Sequence, residues 1–160
     1  MKRMSVDRTR PGGQKVFDEL LKISDVVIEN NVPVSMDRIN VSWERVSNVN
    51  PKIVMLRMPG FGLDGPYEDY RTFGSHMAGV VGHYSVMGYQ GELADMTGNT
   101  LTADAAGGAG AALALAAGIR YRNHNDKGIF IEIATAENFA NYLGDHILNY
   151  TFNNRLTRPC

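Results

Sequence analysis

Two runs, Asp25-Val26-Val27-Ile28-Glu29 and Lys52-Ile53-Val54-Met55-Leu56-Arg57-Met58, decide the fold of this 160-residue chain. Both are short and rich in apolar residues, the pattern of strands buried on both faces of a parallel sheet. Ahead of the first, Val16, Phe17, Leu20 and Leu21 recur at helical spacing between Gln14 and Ile23. Lys15, Asp18, Glu19 and Lys22 fall on the other face, which predicts an amphipathic helix. Between the two runs, Ser42 stands as an N-cap before Trp43-Glu44-Arg45-Val46, and Asn50-Pro51 ends that helix. Helix, strand, helix, strand at these spacings reads as an α/β fold of parallel strands joined by right-handed crossover helices. In such sheets ligands sit beyond the carboxyl ends of the strands. Here those ends are Asn30-Asn31-Val32-Pro33 and Pro59-Gly60-Phe61-Gly62, two loops expected on the same edge.

Further out, Arg3 to Asp7 reads as a short edge strand, broken by Pro11-Gly12-Gly13. Phe61 to Tyr70 is a Gly/Pro/Asp loop, Gly74 to Val86 a helix, and Gly88 to Thr102 a long polar segment of the kind that carries function. Ala103 to Ile119 is an Ala/Gly helix containing Ala105-Ala106-Gly107-Gly108-Ala109-Gly110. Each glycine costs such a helix roughly 1 kcal/mol, tolerable where something packs close to its backbone. Gly128 to Thr135 is a strand with Ile129, Ile131 and Ile133 on one face, and Ala136 to Tyr150 a closing helix. With 44% hydrophobic and 21% charged residues, the chain fits one globular domain rather than a disordered or coiled-coil segment. A net charge of -1 argues against nucleic acid as a partner. No apolar run approaches the ~20 residues of a membrane span, and no signal peptide is legible, so no membrane partner is expected. The single cysteine, Cys160, allows no internal disulfide, which fits a cytoplasmic location.

Asp104 is the principal candidate for chemistry. Following Thr102 as N-cap, it occupies the first turn of the Ala/Gly helix, where the helix N-terminus stabilises a carboxylate by about 0.3–1 kcal/mol. A carboxylate so held can act as a nucleophile. Spacing alone favours the plainer role of decorating a helix start, where acids are common. The Gly107-Gly108-Ala109-Gly110 cluster lacks the G-x-G-x-x-G order and a preceding strand, so close helix packing accounts for it better than a dinucleotide loop. His76, His83, His124 and His146 show no metal-ligand spacing, and no G-x-S-x-G elbow is present. No metal is expected. His76 and His83, seven residues apart, fall on roughly one helical face. Arg38 is a basic group able to meet a phosphate.

Read together, these segments resemble the family III CoA-transferases. The resemblance rests on Ser24 to Asn30 with its Glu-Asn ending, Trp43-Glu44 through Val54, and Pro59-Gly60-Phe61-Gly62-Leu63-Asp64-Gly65-Pro66-Tyr67. It continues in Thr102-Ala103-Asp104-Ala105-Ala106-Gly107-Gly108, Lys127-Gly128 with its strand, and Ala136-Glu137-Asn138. It implies a Rossmann-like family III fold and transfer of CoA between carboxylic acids through an aspartyl intermediate on Asp104. Acyl-CoA and a carboxylic acid are the implied substrates, and a homodimer the implied assembly. By the same carry-over, Asn30, Asn31, Arg38, Gly60 and Phe61 match positions that contact CoA. The chain departs from the family at Asn31-Val32-Pro33-Val34 and at Pro59. Family members extend beyond both ends of this stretch, so residues 1–160 are expected to form a single, truncated domain. The alternatives are a non-catalytic remnant that folds and self-associates, and a related α-methylacyl-CoA racemase. The latter needs a proton-transferring histidine near Thr72-Phe73-Gly74-Ser75, from which His76 is displaced.

Overall fold

The computed structural model describes residues 4–89, 91 and 101–157. Its centre is a three-stranded sheet of β1 (Val26–Glu29), β2 (Val54–Arg57) and β3 (Ile129–Glu132). The order is β1-β2-β3 and both pairings are parallel, with Val26 beside Val54 beside Ile129 and Glu29 beside Arg57 beside Glu132. All three carboxyl ends therefore emerge on one edge.

Alternation along each strand sends its residues to two different cores. Val27, Met55 and Phe130 face a cluster built with Leu21, Met36, Val41 and Val46. These come from α1 (Pro11–Ile23), α2 (Pro33–Arg38), the turn after it and α3 (Trp43–Val49). On the opposite face lies α5 (Thr102–Asn125), approaching so closely that a Cβ at Gly118 would stand 2.8 Å from Ile131 Cδ1 and 2.9 Å from Val54 Cγ1. Close packing is thus the reason for glycine there and, in the cluster expected to pack closely, at Gly107 and Gly110 against Thr135 and Asn138, but not at Gly108, where a Cβ meets nothing within 4 Å. The second core joins α5 to α4 (Gly74–Val80) and α6 (Thr135–Ala140) through Met77, Ala78, Ala103, Ala106, Ala136 and fully buried Phe139. α7 (Gly144–Asn153) closes the described chain. By length and composition α5 is apolar enough to cross a bilayer, with an 18-residue window of mean hydropathy 1.2. Here it spans the sheet instead, burying Ala103, Ala106, Gly107, Ala111 and Gly118.

Several boundaries differ from the sequence expectation, each for a local reason. α1 starts at Pro11 rather than Gln14, because proline in the first turn lacks only an N–H that would have no helical partner anyway. Residues 4–7 form no strand. α2 was not foreseen; its six residues are too few to carry a periodic signal. Thr102 is the first residue of α5 and not its N-cap, a position held by Leu101. The helix expected from Gly74 to Val86 stops at Val80, and a separate 3-10 turn spans His83–Ser85. Between them Gly82 adopts φ 85°, a conformation that breaks a helix and suits glycine. His76 and His83 consequently lie on different elements. The closing helix is likewise divided, with a 3-10 turn at Asn141–Leu143 between α6 and α7. Most of the polar segment from Gly88 to Thr102 lies outside the described residues.

Candidate active site

β1 and β2 end side by side, and a buried ion pair ties their last residues together. Arg57 Nε lies 2.5 Å from Glu29 Oε1, with side-chain exposures of 11% and 6%. The second Glu29 oxygen accepts the Asn31 backbone N–H at 2.8 Å. One carboxylate therefore holds both the neighbouring strand and the loop leaving its own strand. β2 continues into Pro59 and Gly60, whose carbonyls accept the backbone N–H groups of Thr135 (3.0 Å) and Ala136 (2.9 Å). Those N–H groups belong to the first turn of α6 and have no partner inside that helix. The glycine loop is thereby anchored to α6.

Between these anchored ends and α5 lies a cleft of about 490 Å³. Ile28, Glu29 and Asn30 line it from β1, Met58 and Gly60 from the end of β2, and Thr135 from α6. Thr72, Phe73 and Met77 form the α4 side, and Asp104, Gly107 and Gly108 the α5 side. A second hollow of about 330 Å³ adjoins it, sharing Asn30, Gly60 and Thr72 and adding Asn31, Ser35, Tyr70 and Arg71. The hollow at the other end of the sheet is walled by charges already paired, Arg122 with Asp25 and Lys52 with Asp126.

Asp104 is exposed in the first turn of α5, and its side chain borders the cleft. The potential of the α5 N-terminus favours negative charge at this spot. Gly107 and Gly108 follow on the same wall, and Gly108 has open space where a Cβ would stand. A bulky acyl group near Asp104 would meet little side chain there.

Of the residues singled out by sequence, Asp104, Asn30 and Gly60 meet in this cleft, and Asn31 lines the adjoining hollow. Arg38 is exposed at the end of α2 and borders neither. Phe61 is turned into a small aromatic group, 5.9 Å from Tyr67 and 6.5 Å from Tyr70 between ring centroids, where it shapes the loop. His76 accepts the Phe73 backbone N–H on Nδ1 at 3.1 Å and so caps α4. His83 packs edge-on against Phe139, and burial together with nearby His146 holds its pKa below the ordinary histidine value. Met77, Thr135 and the Glu29–Arg57 pair carry no sequence signal of a site, and Thr72 and Phe73 enter the sequence reading only as the stretch near which a racemase histidine would stand. Cross-strand register brings that pair together, and nothing local signals it.

A family model described as CoA-transferase family III matches residues 2–159. The chain belongs to CoA-transferase family III. It is 30% identical over 138 residues to the formyl-CoA:oxalate CoA-transferase of Afipia carboxidovorans, covering 86% of this chain and 32% of that protein. It is also 30% identical over 135 residues to the succinyl-CoA–L-malate CoA-transferase beta subunit of Chloroflexus aurantiacus, covering 84% of this chain and 33% of that one. The chain thus spans about a third of the length of these relatives. Among solved structures, a CAIB/BAIF family protein from Brucella suis superposes with a TM-score of 0.89 at 22% identity, over 98% of this chain and 41% of that one. That likeness shows a shared fold.

Proposed function

We propose that this chain takes part in CoA transfer between carboxylic acids, with Asp104 as the covalent nucleophile. The observation that carries the reading is the opening of the Asp104 side chain into a cleft at the carboxyl ends of β1 and β2. One Asp104 oxygen attacks the thioester carbonyl of the donor acyl-CoA, and the C–S bond breaks to release CoA thiolate and leave a mixed anhydride. The thiolate then attacks the Asp104 acyl carbon, expelling the donor's carboxylate and leaving an aspartyl-CoA thioester. The acceptor carboxylate attacks that carbon in turn, again releasing thiolate. Attack of the thiolate on the acceptor carbonyl yields the new acyl-CoA and frees Asp104. Splitting one difficult exchange into such steps is the general advantage of covalent catalysis.

In this reading Asn30, Asn31 and Gly60 hold CoA along the strand ends, the place where open parallel sheets bind ligands. Arg38, outside the cleft, meets the phosphates of this long substrate, and Phe61 keeps the loop in place behind Gly60. Racemisation of an α-methylacyl-CoA needs a proton carrier at the start of α4. That position is filled by Thr72, Phe73 and Gly74, with His76 Nδ1 engaged in capping.

The test is to incubate the chain with formyl-CoA or succinyl-CoA and analyse it by intact-mass spectrometry, with Asp104→Ala as control. A covalent CoA or acyl adduct on the wild type alone is the expected result. With a 2-methylacyl-CoA supplied instead, deuterium exchange at its α-carbon without an adduct would replace transfer by racemisation. Absence of both adduct and calorimetric CoA binding would leave a non-catalytic remnant.

A further inference from the structure

Gly74 is the first residue of α4 and is buried. Its φ lies outside the left-handed region, so its backbone conformation does not call for glycine. In a helix alanine is favoured over glycine by about 1 kcal/mol, which makes glycine here a local disadvantage. What surrounds the position explains it. A Cβ at Gly74 would overlap the Asp104 carboxyl group, and its three nearest neighbours are Cγ and the two oxygens of that group. The contrast with Gly12, Gly108 and Gly144 is clear, since a Cβ at any of these meets nothing within 4 Å.

We propose that Gly74 is a positioning residue for Asp104: by lacking a side chain it leaves the space that the carboxylate must occupy to face the cleft. Neither neighbouring element can readily move away. Met77 and Ala78 of α4 are buried against Ala103 and Ala106 of α5. A methyl group at position 74 is therefore relieved by rotation of the Asp104 side chain to another staggered well. Covalent attack requires reacting atoms about 3–3.5 Å apart, and a 1 Å misplacement costs about 10²-fold in rate. The walls formed by Asn30, Asn31 and Gly60 stay in place, so substrate affinity is retained.

This inference rests on the nucleophilic role assigned to Asp104, and the experiment separates the two. Gly74→Ala is compared with wild type in single-turnover adduct formation at saturating acyl-CoA, with acyl-CoA affinity measured by calorimetry. The adduct rate is expected to fall about 10²-fold while Kd is unchanged. A general structural defect would weaken both. Gly74→Ala is also placed on an Asp104→Ala background and unfolded in urea. On wild type it lowers the midpoint; on Asp104→Ala the loss disappears and the helix-propensity gain of alanine remains, because the overlapping carboxyl is gone. An unchanged adduct rate in Gly74→Ala, or equal midpoint losses on both backgrounds, overturns the proposal. A wild-type chain that forms no adduct refutes the nucleophilic role, and the urea cycle still decides whether the two residues compete for one space.

Discussion

Replacing Arg57 by methionine removes the cation from the buried pair that closes the ends of β1 and β2. Glu29 is then left 6% exposed, with the Asn31 N–H at 2.8 Å as its short-range donor. Breaking a buried pair from one side costs about 3–5 kcal/mol, because the remaining charge is uncompensated. Two features place this case at the low end. The Arg8 guanidinium is close enough to Glu29 to feel its charge. In addition, Arg57 Nη2 is buried without a hydrogen-bond partner among the described residues, an unsatisfied donor whose removal recovers part of the loss. The expected destabilisation is about 3 kcal/mol, equivalent to a melting point lower by roughly 6–12 °C in a chain of this size. Trp43, the single tryptophan, stands 5.9 Å from Phe130 and reports unfolding in a urea titration followed by fluorescence. The double variant Glu29→Gln/Arg57→Met should regain most of the loss, since it removes the uncompensated buried charge while the glutamine oxygen still accepts the Asn31 N–H. A single-variant loss below about 1 kcal/mol, or a double variant no more stable than the single, would refute the reasoning.

Two further outcomes follow from packing and burial. Gly118→Ala should destabilise by about 1 kcal/mol, because overpacking against Val54 and Ile131 outweighs the gain in helix propensity, whereas Gly108→Ala, with open space, should stabilise by about the same amount; urea midpoints would show the opposite signs. His83 has its pKa lowered in the fold by burial first and by His146 second, so the unfolded chain binds its proton more readily. The stability this group confers is present above pH 6.5 and is lost as pH falls from there through the depressed folded value; His83→Gln should flatten that slope in melts run across the range, and an unchanged slope would contradict it.

Much of this molecule was legible in its sequence, and the exceptions are instructive. The runs at Val26 and Val54 announced parallel strands because apolar β-branched residues without polar alternation fit only a sheet covered on both sides. Ser42 was readable as a cap, and its Oγ accepts the Arg45 N–H at 3.3 Å. The first-turn position of Asp104 was equally plain, as was the edge beyond Asn30 and Pro59 where the parallel strands end. α2 and the division after Val80 escaped, the first for want of length and the second because it depends on the φ of Gly82.

Local pattern alone thus determined the strands, the principal helices and the edge to search, because periodic burial and capping act over a few residues. Which groups meet at that edge was decided only in three dimensions. Gly74 lies thirty positions before Asp104 and touches its carboxylate through the packing of α4 on α5. Glu29 finds Arg57 through strand register. Contacts of this kind depend on how separate elements dock, and docking is set by the volume and shape of whole cores, which no short stretch of sequence encodes.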